Sequence, residues 1–183
     1  MDIRPLQSYS REERDRLEGT GYESPKKYRV AKEATELTTT IRVELIDLDE
    51  PYRKQWEADP DELLSYDKMI RQGCSLGCYV NDELVGAAIA EPQHWNHTLW
   101  LHNFQVSDKH RRSGIGTELM NRLADVARQH KFRAVVLETQ NTNFPAIQFY
   151  KHCGFELEGI DLSLYTNSDM VDGEVAFFMK KKL

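Results

Sequence analysis

The chain has 183 residues, a formal net charge of −6 and a charged fraction of 30%. This length suits one domain with a core of its own. No apolar run is long enough to cross a membrane, and the polar start does not resemble a secretory signal, so we expect a cytoplasmic protein without a membrane partner. The acidic balance argues against a nucleic-acid partner and is compatible with a small cationic substrate.

The first third of the sequence is polar and then turns to β-like alternation. We treat residues 1–26 as an N-terminal extension with a short helix in REERDRLEG, ending at Gly19, and a loop at GYESP. Residues 27–183 form the predicted domain, which opens with KYRVAKEA and TTTIRVELIDL as a strand hairpin. DEPYRKQW is predicted as a loop or short helix.

The middle of the sequence alternates between helical and strand patterns. A helix is predicted from Asp59, its N-cap, to Gly73, with a buried stripe of Leu63, Leu64, Met69 and Ile70. The strands CSLGCYV and ELVGAAIAE flank a hairpin turn at Asn81-Asp82, and the second strand is apolar enough to be buried on both faces. A turn at 93–97 leads to the strand LWLHNFQV.

The last part of the chain continues this alternation. The predicted elements are a helix over Thr117–His130, a buried strand AVVLET, a helix from Asn143 to Gly154, and two closing strands, FELEGIDLSLYT and GEVAFFMKK, separated by the loop NSDMVDG. The three cysteines (Cys74, Cys78 and Cys153) have no metal-site spacing, so we expect reduced thiols and no metal.

A basic, glycine-containing turn joins the strand LWLHNFQV to the next helix. Its residues are Arg111, Arg112, Ser113, Gly114, Ile115, Gly116 and Thr117. Glycine permits positive φ, and free N–H groups before a helix favour an anion such as pyrophosphate. A P-loop is excluded because no lysine follows Gly116, and a dinucleotide fingerprint is weak because Leu119 replaces its third glycine. An ordinary basic turn remains the simple alternative.

A second motif follows about 30 residues later: Asn143, Ala146, Phe149 and Tyr150, then Gly154-Phe155. Together, R-x-x-G-x-G and N-x-x-A-x-x-F-Y-x-x-x-G-F resemble the GNAT superfamily of N-acetyltransferases from about Thr39 to Lys182. The resemblance implies a single α/β (α+β) domain with a mixed, mostly antiparallel sheet that is splayed between two parallel strands and flanked by helices. It also implies acetyl-CoA as cosubstrate.

The resemblance assigns the coenzyme contacts. The pantetheine arm is expected to pair with the backbone of Phe104, Gln105 and Val106, as an added strand would. An N–H near Phe104 is expected to stabilise the oxyanion. The phosphates are assigned to 111–117. The remaining coenzyme contacts are expected from Asn143, Ala146, Phe149 and Tyr150.

The catalytic roles combine this resemblance with side-chain chemistry. Tyr150 is our candidate acid for the leaving thiolate, because a phenol with a pKa of about 10 can donate that proton. The family often has a carboxylate on the strand that here carries His102 and Asn103, so the base is left between His102 and Glu91. The alternatives are that His102 is a structural or solvated histidine and that Tyr150 is an aromatic residue of the core.

The acceptor is suggested by the stretch EPQHWNHTLWLHNFQV, which resembles the streptothricin acetyltransferase branch. Those enzymes acetylate a lysine-like amine of a cationic antibiotic and so give resistance. Trp95, Trp100 and Tyr165 are candidate substrate contacts. We therefore expect direct acetyl transfer to a small cationic amine, and we allow for a homodimer. A protein or peptide N-acetyltransferase and a non-catalytic acetyl-CoA sensor are the alternatives.

Overall fold

The computed structural model describes residues 1–18, 21–56 and 60–183. The strands are β1 (Asp2–Pro5), β2 (Gly21–Ala34), β3 (Thr39–Gln55), β4 (Leu76–Val80), β5 (Glu83–Gln93), β6 (Thr98–Val106), β7 (Ala134–Gln140), β8 (Glu156–Asp161) and β9 (Ala176–Lys182). The helices are α1 (Arg11–Glu18), α2 (Pro60–Ile70), α3 (Ile115–Gln129), α4 (Phe144–His152) and α5 (Asp169–Asp172), and a single 3₁₀ turn spans Asp108–His110.

Seven strands follow the order β1-β4-β5-β6-β7-β9-β8, and β2 pairs with β3 in a two-stranded sheet. The pairs β1–β4, β4–β5 and β5–β6 are antiparallel, whereas β6 and β7 are parallel. This mixed, mostly antiparallel arrangement with flanking helices confirms the predicted fold class. By compactness the chain has one unit of Met1–Thr20, Trp56–Leu137 and Lys180–Leu183, and a second of Gly21–Gln55 and Glu138–Met179.

The core of the first unit is centred on β5. Every residue from Leu84 to Ala90 is buried, as the apolar run predicts. Helix α3 packs beside this strand through its buried stripe, and Leu119 lies within van der Waals reach of a Cβ added at Gly86. A small residue at 86 thus lets the helix that follows the basic turn lie close to the sheet. The Asn81-Asp82 turn has the expected left-handed pair, with φ of 51° and 62°.

The beginning of the chain contributes to the same core. Strand β1 pairs with β4, and Leu6, Tyr9 and Leu17 belong to a buried cluster with Tyr66 and Ile70. The described residues before 19 therefore include a strand and a helix of the first unit. The domain boundary at residue 26 remains a prediction.

The second unit contains the long β2–β3 ribbon, and Asn141 links this ribbon to the segment before β9. The Asn141 side chain donates to the Tyr28 carbonyl at 2.7 Å and accepts from the Val175 N–H at 2.7 Å. Its backbone N–H and C=O bond to the same two residues. Such a fully bonded buried amide fixes local geometry at little desolvation cost.

Several local predictions were wrong. GYESP and most of DEPYRKQW are not loops. The first segment begins β2, the second ends β3, and the two pair with each other. Leu64 is 62% exposed rather than core. The loop NSDMVDG contains α5, and the strand predicted to reach Thr166 ends at Asp161. The predicted helix end at Gly19 and cap at Asp59 lie outside the described residues.

Among the helices of residues 1–18, 21–56 and 60–183, none is long and apolar enough to cross a membrane. The same residues contain no cluster of three or more His, Cys, Asp or Glu side chains placed to hold a metal ion. All three cysteines are buried thiols.

Candidate active site

The turn between β6 and α3 has a backbone shaped for an anion. Two of its residues are left-handed: Arg112 has a φ of 60° and Gly114 has a φ of 86°. Gly114 is the N-cap of α3 and has no side-chain oxygen to offer the first N–H groups of the helix. Gly116 lies inside the first turn of α3 and needs no positive φ. The first turn, Ile115 to Thr117, therefore has N–H groups without a capping side chain, a geometry that suits an anion.

Hydrogen bonds within the turn hold this shape. The Ser107 N–H donates to the Val85 carbonyl at 2.9 Å, which ties the start of the turn to β5. Ser113 Oγ donates to the His110 carbonyl at 2.5 Å. Arg111 Nε lies 3.1 Å from Asp108 Oδ1, while Arg112 is exposed. Both arginines are thus exposed cationic donors in the turn that precedes α3.

Strand β6, which leads into this turn, has an irregularity at His102. Ile89 pairs with Asn103 and Ala90 pairs with Leu101, so His102 is an extra residue with no direct partner position on β5. The four parallel pairs with β7 run from Thr98–Ala134 to Leu101–Leu137. The part of β6 that carries Phe104, Gln105 and Val106 comes after the last of these pairs. The bulge therefore interrupts the regular alternation of side chains between the two faces of β6.

His102 and Glu91, the two alternative bases of the sequence analysis, lie together. His102 Nε2 is 3.2 Å from Glu91 Oε2, and the two side chains are 29% and 31% exposed. Gln93 donates to the same carboxylate at 2.9 Å, and Gln72 does so at 3.4 Å. A carboxylate beside Nε2 favours the tautomer with its hydrogen there, which leaves the lone pair on Nδ1.

Burial lowers the pKa of His102 below its ordinary value, and the hydrogen bond and charge of Glu91 only partly oppose this effect. The imidazole is therefore mainly neutral at pH 7 and can accept a proton. The ring of Trp100 lies 6.0 Å from the His102 ring, centroid to centroid, and Trp100 pairs with Glu91 across the two strands. Trp95 is in the preceding turn and is 82% exposed.

Tyr150 lies on α4 in the second unit, between two aromatic neighbours. Its ring is 5.6 Å from Phe149 and 5.8 Å from Phe155. Burial raises the pKa of Tyr150 above its ordinary value, and the charge of Glu138 raises it further. The phenol therefore stays protonated throughout the neutral range, which is the state a general acid requires.

Asn143 and Ala146 begin the helix that carries Tyr150. The Asn143 side chain is the N-cap of α4 and accepts from the Ala146 N–H at 3.3 Å. This contact gives Asn143 a structural role that the motif alone does not reveal.

Tyr165, a candidate substrate contact, belongs to a cluster of phenols and carboxylates in the second unit. Its hydroxyl donates to Glu138, at the carboxyl end of β7. Tyr52 and Lys54 donate to Glu174 at 2.8 and 2.7 Å, and the Tyr22 ring lies 6.2 Å from that of Tyr52. We call these six residues, Tyr22, Tyr52, Lys54, Glu138, Tyr165 and Glu174, the phenol–carboxylate cluster.

The charges within this cluster affect one another. Burial raises the pKa of Glu138, and the charge of Glu174 adds to that rise. Burial and the bond to Glu174 raise the pKa of Tyr52 to about 12. Neither Glu138 nor Glu174 was a site candidate on the sequence alone. The available signal for Glu138 was one carboxylate in the otherwise apolar run AVVLET.

Comparisons with known proteins show the family of the chain. Residues 42–155, more than half of the chain, match the family model described as Acetyltransferase (GNAT) family. Streptothricin acetyltransferase of Escherichia coli is 32% identical over 128 residues, which are 70% of this chain and 69% of that protein. Streptothricin acetyltransferase A of Bacillus subtilis (strain 168) is 30% identical over 128 residues, covering 70% and 72%.

The fold is shared with solved structures over almost the whole chain. The crystal structure of nourseothricin acetyltransferase superposes with a TM-score of 0.72 at 27% identity and covers 99% of this chain and 97% of that one. A Bacillus anthracis str. Ames structure in complex with acetyl coenzyme A superposes with a TM-score of 0.71, at 21% identity, over 100% and 97% of the two chains. The chain thus belongs to the GNAT family and is an acetyl-CoA-dependent acetyltransferase.

Proposed function

We propose that this enzyme transfers the acetyl group of acetyl-CoA to a primary amine of a small cationic acceptor, by direct attack in a ternary complex. The acceptor we favour is the lysine-like side chain of streptothricin, because two relatives of at least 30% identity carry that name. The observation that carries the proposal is the Glu91–His102 contact, located at the bulge of the strand that leads into the anion site.

The coenzyme is assigned to β6 and the turn after it. We propose that the backbone of Phe104, Gln105 and Val106 pairs with the amides of the pantetheine arm, and that residues 111–117 hold the pyrophosphate. The helix dipole, the N–H groups of the first turn and the two arginines all favour a dianionic group there. An N–H near Phe104 is the proposed donor to the oxyanion. Asn143, Ala146 and Phe149 keep their assignment as further coenzyme contacts.

Proton removal from the acceptor is assigned to His102. With a pKa of about 10.4, only about one amine in 2,500 is neutral at pH 7, so deprotonation costs about 4–5 kcal/mol. A neutral imidazole that is held by a carboxylate supplies an acceptor for that proton. Glu91 then stabilises the imidazolium that forms, and Gln93 keeps the carboxylate in place.

Tyr150 is the proposed acid for the departing thiolate. As the C–S bond of the tetrahedral intermediate breaks, the phenol gives its proton to sulfur, the positively charged nitrogen releases a proton to solvent, and the neutral amide product leaves. The raised pKa of Tyr150 keeps the phenol protonated until negative charge develops on the departing sulfur. The phenolate is then reprotonated from solvent.

Recognition of the acceptor's positive charge is assigned to aromatic rings and carboxylates. Trp95 and Trp100 offer faces for cation–π contact. Tyr165 offers a third face, and its bond to Glu138 sets the phenol beside a partly buried carboxylate. Such a combination suits an acceptor that carries a second positive charge.

The test is a thiol-release assay with acetyl-CoA over streptothricin, other cationic antibiotics, polyamines and lysine peptides. We expect turnover with streptothricin to exceed that with peptides by at least about a hundredfold in kcat/KM, which corresponds to about 2.8 kcal/mol of discrimination. Peptides as the best acceptors would contradict the proposal and identify a protein N-acetyltransferase. Coenzyme binding without turnover on any amine would identify a sensor.

The base assignment has its own measurement. Activity requires neutral His102, so kcat/KM rises as the pH passes the imidazole pKa, and the lowered pKa puts this limb below about 6.5. In Glu91→Gln the contact that opposes the lowering is gone, so the limb moves to still lower pH. The limb disappears in His102→Gln, and an unchanged profile there would contradict the assignment.

A further inference from the structure

A chain of four polar side chains, three of them buried, connects α1 and α2 to β6 beside the proposed base. The Arg14 side chain on α1 is 9% exposed, and its Nη1 lies 3.5 Å from Oε2 of Glu62 on α2, whose side chain is 33% exposed. The Tyr66 hydroxyl donates to Glu62 Oε1 at 2.6 Å and accepts from Asn103 Nδ2 at 3.2 Å. We call these four residues, Arg14, Glu62, Tyr66 and Asn103, the buried relay.

The relay lies beside a hydrophobic cluster, where apolar side chains could fill the same space. Tyr66 belongs to a hydrophobic cluster with Leu17, Ile70 and Ile89, and Ile89 is the residue that pairs with Asn103. Replacing buried polar or ionic groups by apolar ones of similar volume is often neutral or stabilising. Stability alone therefore gives little reason to keep a guanidinium, a phenol and an amide in this core.

The end of the relay coincides with the irregularity of β6. Asn103 follows His102, the bulged residue, and its side chain is buried while that of His102 is partly exposed. A bulge has one residue outside the ladder, so its geometry depends on anchors at its neighbours. The hydrogen bond from Asn103 to Tyr66 is such an anchor, and the ion pair with Arg14 holds the carboxylate that orients Tyr66.

We propose that the buried relay positions the β6 bulge and thereby the imidazole of His102 against Glu91. The inference rests on the proposed function, in which His102 accepts the proton of the acceptor amine. Tyr66 is a positioning residue, because it acts through Asn103 and contacts neither substrate nor coenzyme in this assignment. The groups that contact or face His102 on these strands are Glu91, with its partners Gln72 and Gln93, and Trp100.

The test combines steady-state kinetics with a direct titration of His102, both in the full chain. Tyr66→Phe removes the hydroxyl and keeps the ring. We expect kcat/KM for the acceptor to fall about tenfold while KM for acetyl-CoA stays within about twofold, since an interaction made through the base affects one substrate only. In an NMR titration, the His102 midpoint should fall by about 0.5 pH unit, in the same direction as in Glu91→Gln, because the contact with Glu91 that raises it is weakened. His102→Gln assigns the signal.

Two further variants separate positioning from folding. Tyr79→Phe removes a phenol of the same unit that lies against Arg4, and it should leave both readouts unchanged. The pair Tyr66→Phe with Asn103→Leu removes both polar partners, so thermal stability should return toward that of the native protein while kcat/KM stays low. A His102 titration in Tyr66→Phe that matches Tyr79→Phe would overturn the proposal. Full activity in His102→Gln would instead overturn the proposed function and leave the titration result valid.

Discussion

The anion site before α3 and the phenol–carboxylate cluster are built from different parts of the chain. The first uses main-chain N–H groups and the bend at Arg112 and Gly114, within about ten consecutive residues. The second uses side chains that come from β2, β3, β7 and the segments around α5. A backbone site should be sensitive to added bulk, whereas a side-chain site should be sensitive to a change of charge or the loss of one hydroxyl.

The largest effect is expected at Gly116. In Gly116→Leu a side chain stands on the first turn of α3, where the pyrophosphate is assigned, while leucine keeps the helix stable. The Kd for coenzyme A should rise at least about a hundredfold, or about 2.8 kcal/mol, by calorimetry. Gly73→Asn is the matched control, because a Cβ there meets no atom and asparagine tolerates its left-handed backbone. Native affinity in Gly116→Leu would remove the anion assignment.

Tyr150→Phe should have the next largest effect. Loss of a general acid typically costs about a hundredfold or more in kcat. The phenol must be protonated to act, so in the native enzyme kcat falls as pH rises through its pKa. Because that pKa is raised, this alkaline limb lies above about 10. The limb should vanish in Tyr150→Phe and persist in Tyr28→Phe. Equal kcat in both variants would contradict the acid role.

A charge change in the cluster should have a moderate effect. In Glu138→Gln the bond to Tyr165 can persist while the negative charge is lost, so KM for a dicationic acceptor should rise about tenfold with little change in kcat. The raised pKa of Glu138 predicts that the native enzyme loses this affinity as pH falls, earlier than an ordinary carboxylate would. Glu23→Gln, at a surface pair with Arg53, is the control. An unchanged KM in steady-state kinetics would exclude Glu138 from acceptor recognition.

The smallest effect concerns backbone strain. Arg112 and Lys131 both have φ of 60°, which costs a non-glycine residue about 1–2 kcal/mol. Arg112→Gly and Lys131→Gly should therefore raise stability by similar amounts, at most about 1 kcal/mol in urea melts because glycine also gains freedom when unfolded. Only Arg112→Gly should weaken coenzyme binding. Equal coenzyme affinity in the two variants would show that the Arg112 charge is not used.

The difference between the two regions also explains what the sequence could predict. The anion turn lies within one short stretch, so Arg111, Gly114 and Gly116 indicated it without knowledge of the fold. Gly114 takes the expected left-handed conformation, but the second left-handed residue is Arg112 rather than Gly116, because the bend ends before α3 begins. The spacing of the motif identifies the turn, but it does not indicate which residue of the turn takes the left-handed conformation.

The side-chain sites depend on distant partners and were less predictable. Tyr165 and Glu138 are 27 residues apart, and Tyr52 and Glu174 are 122 apart. Periodicity indicates which face a residue takes on its own element but not which distant residue it meets. The contact between Glu91 and His102 was also unpredicted as a pair, although both were candidates. It depends on the register of β5 and β6 and on the bulge, which strict alternation cannot indicate.

The ribbon strands were misjudged at their ends for a related reason. Strands β2 and β3 form a two-stranded sheet, and Ile41 and Leu45 are each 42% exposed. With so little burial, the GYESP and DEPYRKQW segments show no apolar alternation, and their prolines and charges resemble turns. Long-range pairing, from Gly21 with Gln55 to Ala34 with Thr39, makes them strands.

The three buried cysteines have a practical consequence for all these measurements. Disulfide reagents react with thiolates, and burial raises the pKa values of Cys74 and Cys78 above that of an ordinary thiol. The folded enzyme should thus contribute almost no colour of its own when released coenzyme is titrated with such a reagent. A slow additional signal of three equivalents per chain would report unfolding. The same cuvette then distinguishes a variant that has lost its chemistry from one that has lost its fold.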